Sequence, residues 1–193
     1  DSIFNDFDVF FNRFVDSLSQ FSKLENRLNS TPVCMAFFGQ MDKDIDYLFS
    51  SNFSDQSIAK EWDALLVKLN CHKGEATNYE GIEISSWEVN GEKYYCGYAK
   101  ETLHFSSSLP IIQSAIIKSK SPHNFNPEFK KVYKTASKNQ RVKILLQPNL
   151  LVKLADNNTS KLASAWLLEQ PDIGNWTELD FESSSNAFNV CGF

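Results

Sequence analysis

The segment from residue 82 to residue 117 constrains the fold most strongly, because two polar turns divide its β-branched and aromatic residues into short runs. Asn90-Gly91 tolerates the positive φ angles of a two-residue hairpin turn, and Lys100-Glu101 makes the next break. We therefore predict a three-stranded antiparallel meander. After the serines at 106–108 the apolar spacing changes from two residues to three or four, which predicts that a serine caps a following helix.

Apolar side chains recur at alternating spacings of three and four residues through the N-terminal segment. This spacing places them on one face of a helix and predicts a single long amphipathic helix that packs on a sheet. The residues of this apolar face are Phe4, Phe7, Phe11, Phe14, Leu18 and Phe21, extended by Leu24 and Leu28.

Thr31-Pro32 ends the N-terminal helix, and two apolar runs at 33–38 and 45–49 follow as a predicted hairpin. Ser54 or Asp55 then caps a helix whose apolar face extends to Leu69. Residues 70–80 carry almost no apolar side chain, so we interpret them as a loop.

The C-terminal part continues with shorter elements. The pattern predicts helices at 109–119, from Pro127 with Asn126 as the N-cap, at 150–154 and at 162–167. It predicts strands at 142–146, 176–181 and 187–191. Hairpins outnumber strand-helix-strand crossovers in this order. The predicted fold class is therefore α+β, a largely antiparallel sheet built from hairpins and a meander, with several helices packed on it.

A chain of 193 residues with 42% hydrophobic residues has room for one substantial core. We predict a single α+β domain over residues 1–193, within which 1–78 and 79–193 form two weaker sub-lobes. The chain begins at Asp1 without a methionine and ends on a strand-like run at 188–193. We expect it to be part of a longer polypeptide.

Charge is distributed unevenly along the chain. The formal net charge is −5, but residues 118–143 carry eight cationic side chains and one acid, so the remainder carries −12. An acidic protein repels nucleic acid at long range, so we expect no nucleic-acid partner. The basic segment is the predicted binding surface for an acidic protein or an anionic envelope polymer, unless it is only a solvated helix face. Its candidate residues are Lys130, Lys131, Lys134, Lys138 and Arg141.

The four cysteines, at positions 34, 71, 96 and 191, form no CxxC or Cys/His ladder. Structural zinc sites draw their ligands from such spacings, so we expect no metal. Cys34, Cys96 and Cys191 lie in apolar runs, where a reduced thiol packs as a small buried side chain; a disulfide is the alternative. Glycine-rich phosphate-binding loops are also missing from the sequence, and we expect no cofactor.

Catalytic residues are not predicted either. The chain has three histidines, His72, His104 and His123. The sequence around each of them does not indicate a catalytic base that activates a nucleophile. His104 reads as an ordinary strand residue. Cys71 and His72 adjoin in the chain, and neighbouring side chains point apart.

Two sets of alternating carboxylates are candidates for a metal or catalytic site. Asp42, Asp44 and Asp46 resemble the start of a calcium loop, but Tyr47 and Phe53 occupy the positions that need Gly and Glu. Glu178, Asp180 and Glu182 alternate along a strand, where such charges commonly protect an exposed edge. Paired carboxylates also serve glycosidases, so a carbohydrate-active or other hydrolase using Glu178 and Asp180 is an alternative. A small-ligand pocket lined by Trp87, Tyr94 and Phe105 is another.

The order of motifs resembles an uncharacterised family of exported bacterial proteins that carry a domain of unknown function. The residues that carry the resemblance are Tyr79-Glu-Gly-Ile82, the Asn90-Gly91 hairpin, Leu103-His-Phe-Ser-Ser-Ser108 before an Ile-rich helix, Phe129, the strand at 142–146 and Trp176-Thr-Glu-Leu-Asp180. The resemblance covers about residues 32–193. The chain departs from it by beginning with a Phe-rich helix in place of a strand.

The resemblance implies a periplasmic or cell-envelope location, often with a lipid anchor and with β-propeller repeats elsewhere in the polypeptide. It supplies no catalytic residue. The function that we predict from the sequence is therefore a non-catalytic interaction or scaffold module of an exported bacterial envelope protein, without a transmembrane segment in this chain.

Overall fold

The computed structural model divides the chain into two compact units, residues 1–123 (unit 1) and 124–193 (unit 2). It describes all residues except 1–4, 41–42, 54, 90, 122–124, 136–141, 148–176, 185–186 and 193. The helices predicted at 150–154 and 162–167 lie outside the described residues. The single domain with sub-lobes 1–78 and 79–193 stays a prediction.

The elements of unit 1 are α1 (Asn5–Leu18), α2 (Ser22–Ser30), β1 (Val33–Gln40), β2 (Lys43–Asn52), α3 (Gln56–Lys68), β3 (His72–Tyr79), β4 (Ile82–Val89), β5 (Glu92–Ala99), β6 (Thr102–Ser106) and α4 (Leu109–Lys120). Those of unit 2 are α5 (Pro127–Thr135), β7 (Val142–Leu146), β8 (Thr177–Ser184) and β9 (Ala187–Gly192). Each strand pairs antiparallel with its neighbours, in the order β1-β2-β6-β5-β4-β3 in unit 1 and β7-β8-β9 in unit 2. The predicted α+β class is confirmed.

The predicted meander is confirmed as β4-β5-β6. Gly91 takes a φ of +83° at the first turn. At the second turn Lys100 and Glu101 take φ values of 46° and 64°, the left-handed conformation that a tight two-residue hairpin requires at both positions. The hairpin of β1 and β2 is also confirmed.

One face of the unit 1 sheet packs against α1, α2 and α3. Trp62 of α3 lies at its centre, with its ring centroid 5.3 Å from that of Phe49 and 5.5 Å from that of Phe105. Phe14 of α1 and Leu24 of α2 join the same buried cluster. The helices predicted from their apolar faces therefore share one core.

The opposite face of the sheet packs against α4. Ile112 and Ile116 of α4 are fully buried against Ile84 and Ala99. Gly97 lies beneath the helix, and a Cβ atom there would lie 3.3 Å from both Ile112 Cγ2 and Ile116 Cδ1. The small residue therefore sets how closely α4 approaches the sheet.

The predicted single N-terminal helix is wrong, because the chain turns at residues 19–21 and forms two helices. Gln20 N and Phe21 N donate to the carbonyls of Ser17 and Leu18, which closes the turn. The carboxylate of Glu61, from α3, then accepts a hydrogen bond from Leu24 N at 2.8 Å. A side chain distant in sequence thus satisfies an amide at the start of α2.

The predicted loop at 70–80 is also wrong, because His72–Tyr79 is strand β3. All its side chains but Tyr79 are exposed, so the strand has no apolar alternation to reveal it. Its order comes from pairing with β4, with a bulge between Lys73 and Ala76. The strand forms one edge of the sheet.

Two of the predicted helix caps take the expected form. The side chain of Asp55 accepts a hydrogen bond from Ser57 N at the start of α3, and this contact lowers the pKa of its carboxyl. Asn126 Oδ1 accepts one from Glu128 N at the start of α5. At α4 the N-cap residue is Ser108, but its side chain does not cap the helix, so the predicted serine cap is wrong; the Ser108 amide instead donates to Ser106 Oγ.

Candidate functional site

The predicted basic surface lies on α5 in unit 2. Asn126 and Pro127 begin this helix, since the Asn126 side chain accepts from Glu128 N at 2.8 Å and proline lacks only an amide that would have no helical partner. The Asn126 carbonyl accepts from Lys130 N at 2.9 Å and closes the first turn. Local sequence therefore fixes where the lysine-bearing turns begin.

Three of the predicted binding residues are brought together on α5. Lys130, Lys131 and Lys134 are all exposed. Residues three and four apart are neighbours on a helix surface, so these three ammonium groups occupy one side within a single turn. Lys138 and Arg141 lie outside the described residues.

An aromatic row accompanies the lysines and was not predicted as part of the site. The ring centroids of Phe125 and Phe129 are 5.6 Å apart, and those of Phe129 and Tyr133 are 5.8 Å apart. Phe125 is 49% exposed and Tyr133 is 60% exposed. The i, i+4 spacing of the three rings was the signal available in the sequence.

The lysines and the aromatic row occupy adjacent sides of the helix. With 3.6 residues per turn, successive residues are rotated by about 100°, so Lys130 projects beside the row that ends at Tyr133. The surface formed by Phe125, Phe129, Lys130, Lys131, Tyr133 and Lys134 is named the α5 surface below. It combines positive charge with exposed apolar area.

The imidazoles have no catalytic geometry among the described residues. His104 is buried, its Nδ1 lies 2.9 Å from Ser50 Oγ, and its Nε2 is also buried. Burial lowers the pKa of His104 and favours its neutral form, but an external substrate does not reach the ring. Cys71 is buried while His72 is exposed, so the two side chains point apart. His123 lies outside the described residues.

The carboxylate sets do not form a site in the described part of the chain. Asp46 accepts a hydrogen bond from Ser107 Oγ at 3.0 Å, whereas Asp42 and the side chain of Asp44 lie outside the described residues. Among the described residues, no three or more His, Cys, Asp or Glu side chains lie together in a way that could hold a metal ion.

The other set lies on β8, with side chains outside the described residues. Its residues are Glu178, Asp180 and Glu182. We interpreted them as edge protection, but β8 is the central strand of its sheet, so that reason is wrong. Asp180 pairs with Lys143 of β7, which places opposite charges across the strands. The hydrolase alternative stays a prediction.

The residues that we expected to line a ligand pocket are packed in the core of unit 1. Trp87 and Phe105 are buried, and the Tyr94 ring stacks on Phe105 with centroids 5.5 Å apart. A cleft of about 370 Å³ lies elsewhere, lined by Lys60 and Asp63 of α3, Lys73 of β3, Glu83 and Ser85 of β4, and by Cys96, Tyr98 and Leu103. Two of its four charged residues pair with each other, since Lys73 Nζ lies 3.1 Å from Asp63 Oδ2 and also lies over the Trp87 ring.

The cysteines follow the prediction only in part. Cys34, Cys71 and Cys96 form no disulfide, and Cys71 and Cys96 are buried. Burial raises the pKa of Cys71 to about 11 and that of Cys96 to about 12, so both thiols stay protonated and unreactive near neutral pH. Cys34 is exposed, against our expectation. The side chain of Cys191 lies outside the described residues.

Comparison with known proteins gives no family for this chain. No protein-family model, curated protein or solved structure matches it. The resemblance to exported bacterial proteins therefore stays a prediction. Among the described residues, no helix combines the length and the apolar character that crossing a membrane requires.

Proposed function

We propose that this chain is a non-catalytic interaction module of an exported bacterial envelope protein, and that it binds an acidic partner protein through the α5 surface. The observation that carries the proposal is the aromatic row, with Phe125 and Tyr133 exposed and Phe129 partly buried between them, beside three exposed lysines. If this helix face were only solvated, its lysines would be expected, but its exposed aromatic rings would have no role. Aromatic side chains are enriched at protein interfaces, where their area is removed from water.

The charge distribution supports an acidic partner. Unit 2 contributes most of the cations in the basic segment, while the rest of the chain is acidic overall. An acidic surface is attracted to this segment and repelled elsewhere, which orients the encounter. An anionic polymer satisfies the lysines alone, whereas a protein surface also supplies apolar groups for the rings.

The binding test uses the full chain and two synthetic acidic peptides, one with interspersed leucines and one with serines in their place. We expect the leucine peptide to bind more tightly, and binding to weaken as salt is added. Replacing Lys130, Lys131 and Lys134 together by glutamine should weaken it by about tenfold, since exposed charge pairs are worth roughly 0.5 kcal/mol each. Tyr133→Ala should weaken it without changing the salt dependence.

The matched control replaces three exposed lysines of unit 1, Lys60, Lys68 and Lys93, by glutamine. This variant has the same net charge as the α5 variant and should bind as the wild type does. Equal loss in the two variants would show a nonspecific charge effect and contradict the proposal. If the chain bound a polyanionic polymer but neither peptide, the result would contradict the proposed protein partner and identify an anionic polymer as the ligand.

The proposed location is tested separately. Fractionation of the source cells, followed by immunodetection of the chain, should place it in the envelope fraction. Recovery in the cytosolic fraction alone would contradict the exported part of the proposal and would leave the binding result unaffected.

A further inference from the structure

The two edges of the six-stranded sheet in unit 1 differ in chemistry. The β3 edge carries His72, Lys73 and Glu75, and a bulge interrupts its pairing with β4. Charges and bulges are the features that prevent one sheet edge from pairing with another. The β1 edge, Val33–Gln40, contains no charged residue. Its pairing with β2 is continuous from Val33 to Phe38, and the register shifts only between Phe38 and Gln40.

Large apolar side chains are exposed along β1. Val33 is 44% exposed, Phe37 46% and Phe38 41%. Because successive residues of a strand point to opposite faces, Phe37 and Phe38 lie on the two sides of the sheet. An occupant of this edge therefore has to offer apolar side chains on both of its faces as well as an extended backbone.

We propose that two copies of this chain pair antiparallel along β1 and join their six-stranded sheets into one. A second copy of β1 is apolar on both faces, as the edge requires. Identical strands that carry charges would oppose like charges across a twofold axis, but β1 has none to oppose. The charged, bulged β3 edge stops further addition, so the assembly closes as a dimer.

The faces of the strand restrict the register. Directly opposed residues of an antiparallel pair lie on the same face, so the twofold axis passes through a residue and not between two residues. An axis at Ala36 places Phe37 opposite Met35 of the second copy and Phe38 opposite Cys34. An axis at Met35 leaves Phe38 without an opposed apolar residue from β1. An axis at Phe37 leaves Val33 without an opposed residue from β1. The axis at Ala36 opposes all three exposed apolar residues with residues of β1, so the geometry favours it.

The oligomeric state tests the proposal. Light scattering during size-exclusion chromatography of the full chain should report a dimer that dissociates on dilution. Phe37→Lys places a charge on each copy of the edge and should give a monomer. Ile117→Lys is the matched control, since Ile117 of α4 is also 46% exposed, and it should stay dimeric. Near-ultraviolet circular dichroism checks that both variants fold.

Cross-linking tests the register. Opposed residues in a sheet have Cα atoms about 4.5–5.5 Å apart, which a disulfide spans. Mild oxidation of Phe38→Cys should join the introduced thiol to Cys34 of the second copy and give a covalent dimer, which Cys34→Ser in the same variant abolishes. Covalent dimers from Met35→Cys or Phe37→Cys in a Cys34→Ser background would place the axis at that residue and overturn the register.

Two results would overturn the dimer itself. The first is a wild-type chain that is monomeric at every concentration measured and a Phe38→Cys variant that forms no covalent dimer. The β1 edge would then be open to a strand of another protein. A Phe37→Lys variant that stays dimeric would place the interface elsewhere. Because the α5 surface lies in unit 2, either result leaves the acidic-partner proposal standing.

Discussion

His104 is a buried polar residue within the sheet of unit 1, on β6. Among the described residues, only its Nδ1 has a hydrogen-bonding neighbour, Ser50 Oγ of β2. The side chain is buried on the face opposite to Leu103 and Phe105. A buried imidazole loses hydration when it is protonated, and burial accordingly lowers its pKa. The imidazole of His104 is therefore neutral in the folded protein.

This burial predicts a loss of stability in mild acid. The unfolded imidazole, with an ordinary pKa of about 6.5, binds a proton more readily than the buried one, so the free energy of unfolding should decrease as pH falls below that value. His104→Asn keeps an acceptor near Ser50 and removes the titrating group. Its unfolding free energy, measured by urea denaturation from pH 5 to pH 7, should depend less on pH, by at most about 1.4 kcal/mol per pH unit.

The control for this measurement is His72→Asn, which removes an exposed imidazole. Its pH dependence should match that of the wild type. If His104→Asn and the wild type lose stability in parallel as the pH falls, burial of His104 is not the cause of the acid sensitivity.

At the scale of elements, the distance between α4 and the sheet depends on Gly97, which lacks the methyl group of an alanine. Gly97 lies on the central strand β5, and both Ile112 and Ile116 of the helix reach it. Interiors are close-packed, so an added atom displaces its neighbours. The serines that precede α4 hold its start, since Ser106 Oγ donates to the Tyr47 carbonyl and accepts from Ser108 N.

Gly97→Ala should therefore lower the free energy of unfolding by about 1–3 kcal/mol through overpacking. Ile116→Val removes the Cδ1 atom that would meet the new Cβ. The double variant should lose less stability than the sum of the two single losses, as measured by urea denaturation of all three variants. Strict additivity would show that the helix is not held at this contact.

At the scale of the whole molecule, unit 1 contains its own sheet and two buried clusters, one on each face. Its two layers of helices cover both faces of the antiparallel sheet. Unit 2 has a separate three-stranded sheet and carries the α5 surface. The proposed dimer edge and the proposed partner surface thus belong to different units.

A fragment of residues 1–121 should fold by itself, because it retains all the strands and helices of unit 1. We expect near-ultraviolet circular dichroism bands from its buried tryptophans and one cooperative unfolding transition in urea. A fragment of residues 1–107 lacks α4, exposes the Ile84 face and should not fold. Failure of the longer fragment to fold would show that unit 1 depends on the rest of the chain.

Local chemistry determined the features that could be read from the sequence. The caps of Asp55 and Asn126 and the turn glycine Gly91 each act within a few residues of their own position. The apolar runs with period two specified β4, β5 and β6, and the helical spacing specified α3 and α4. The exposure of Lys130 and Lys134 followed from the same helical spacing, whereas their role in binding stays a prediction.

Tertiary structure decided the features that depend on distant neighbours. Strand β3 exists because β4 pairs with it, and α2 begins where it does because Glu61 accepts from its third amide. Neither partner is visible in the local pattern. The exposure of Tyr133 and of Cys34 depended likewise on which faces the rest of the protein covers. The sequence by itself determined the α+β class and the described elements other than β3 and the break between α1 and α2. The tertiary structure decided those two features and which apolar residues stay exposed, because burial is a property of the whole packed unit.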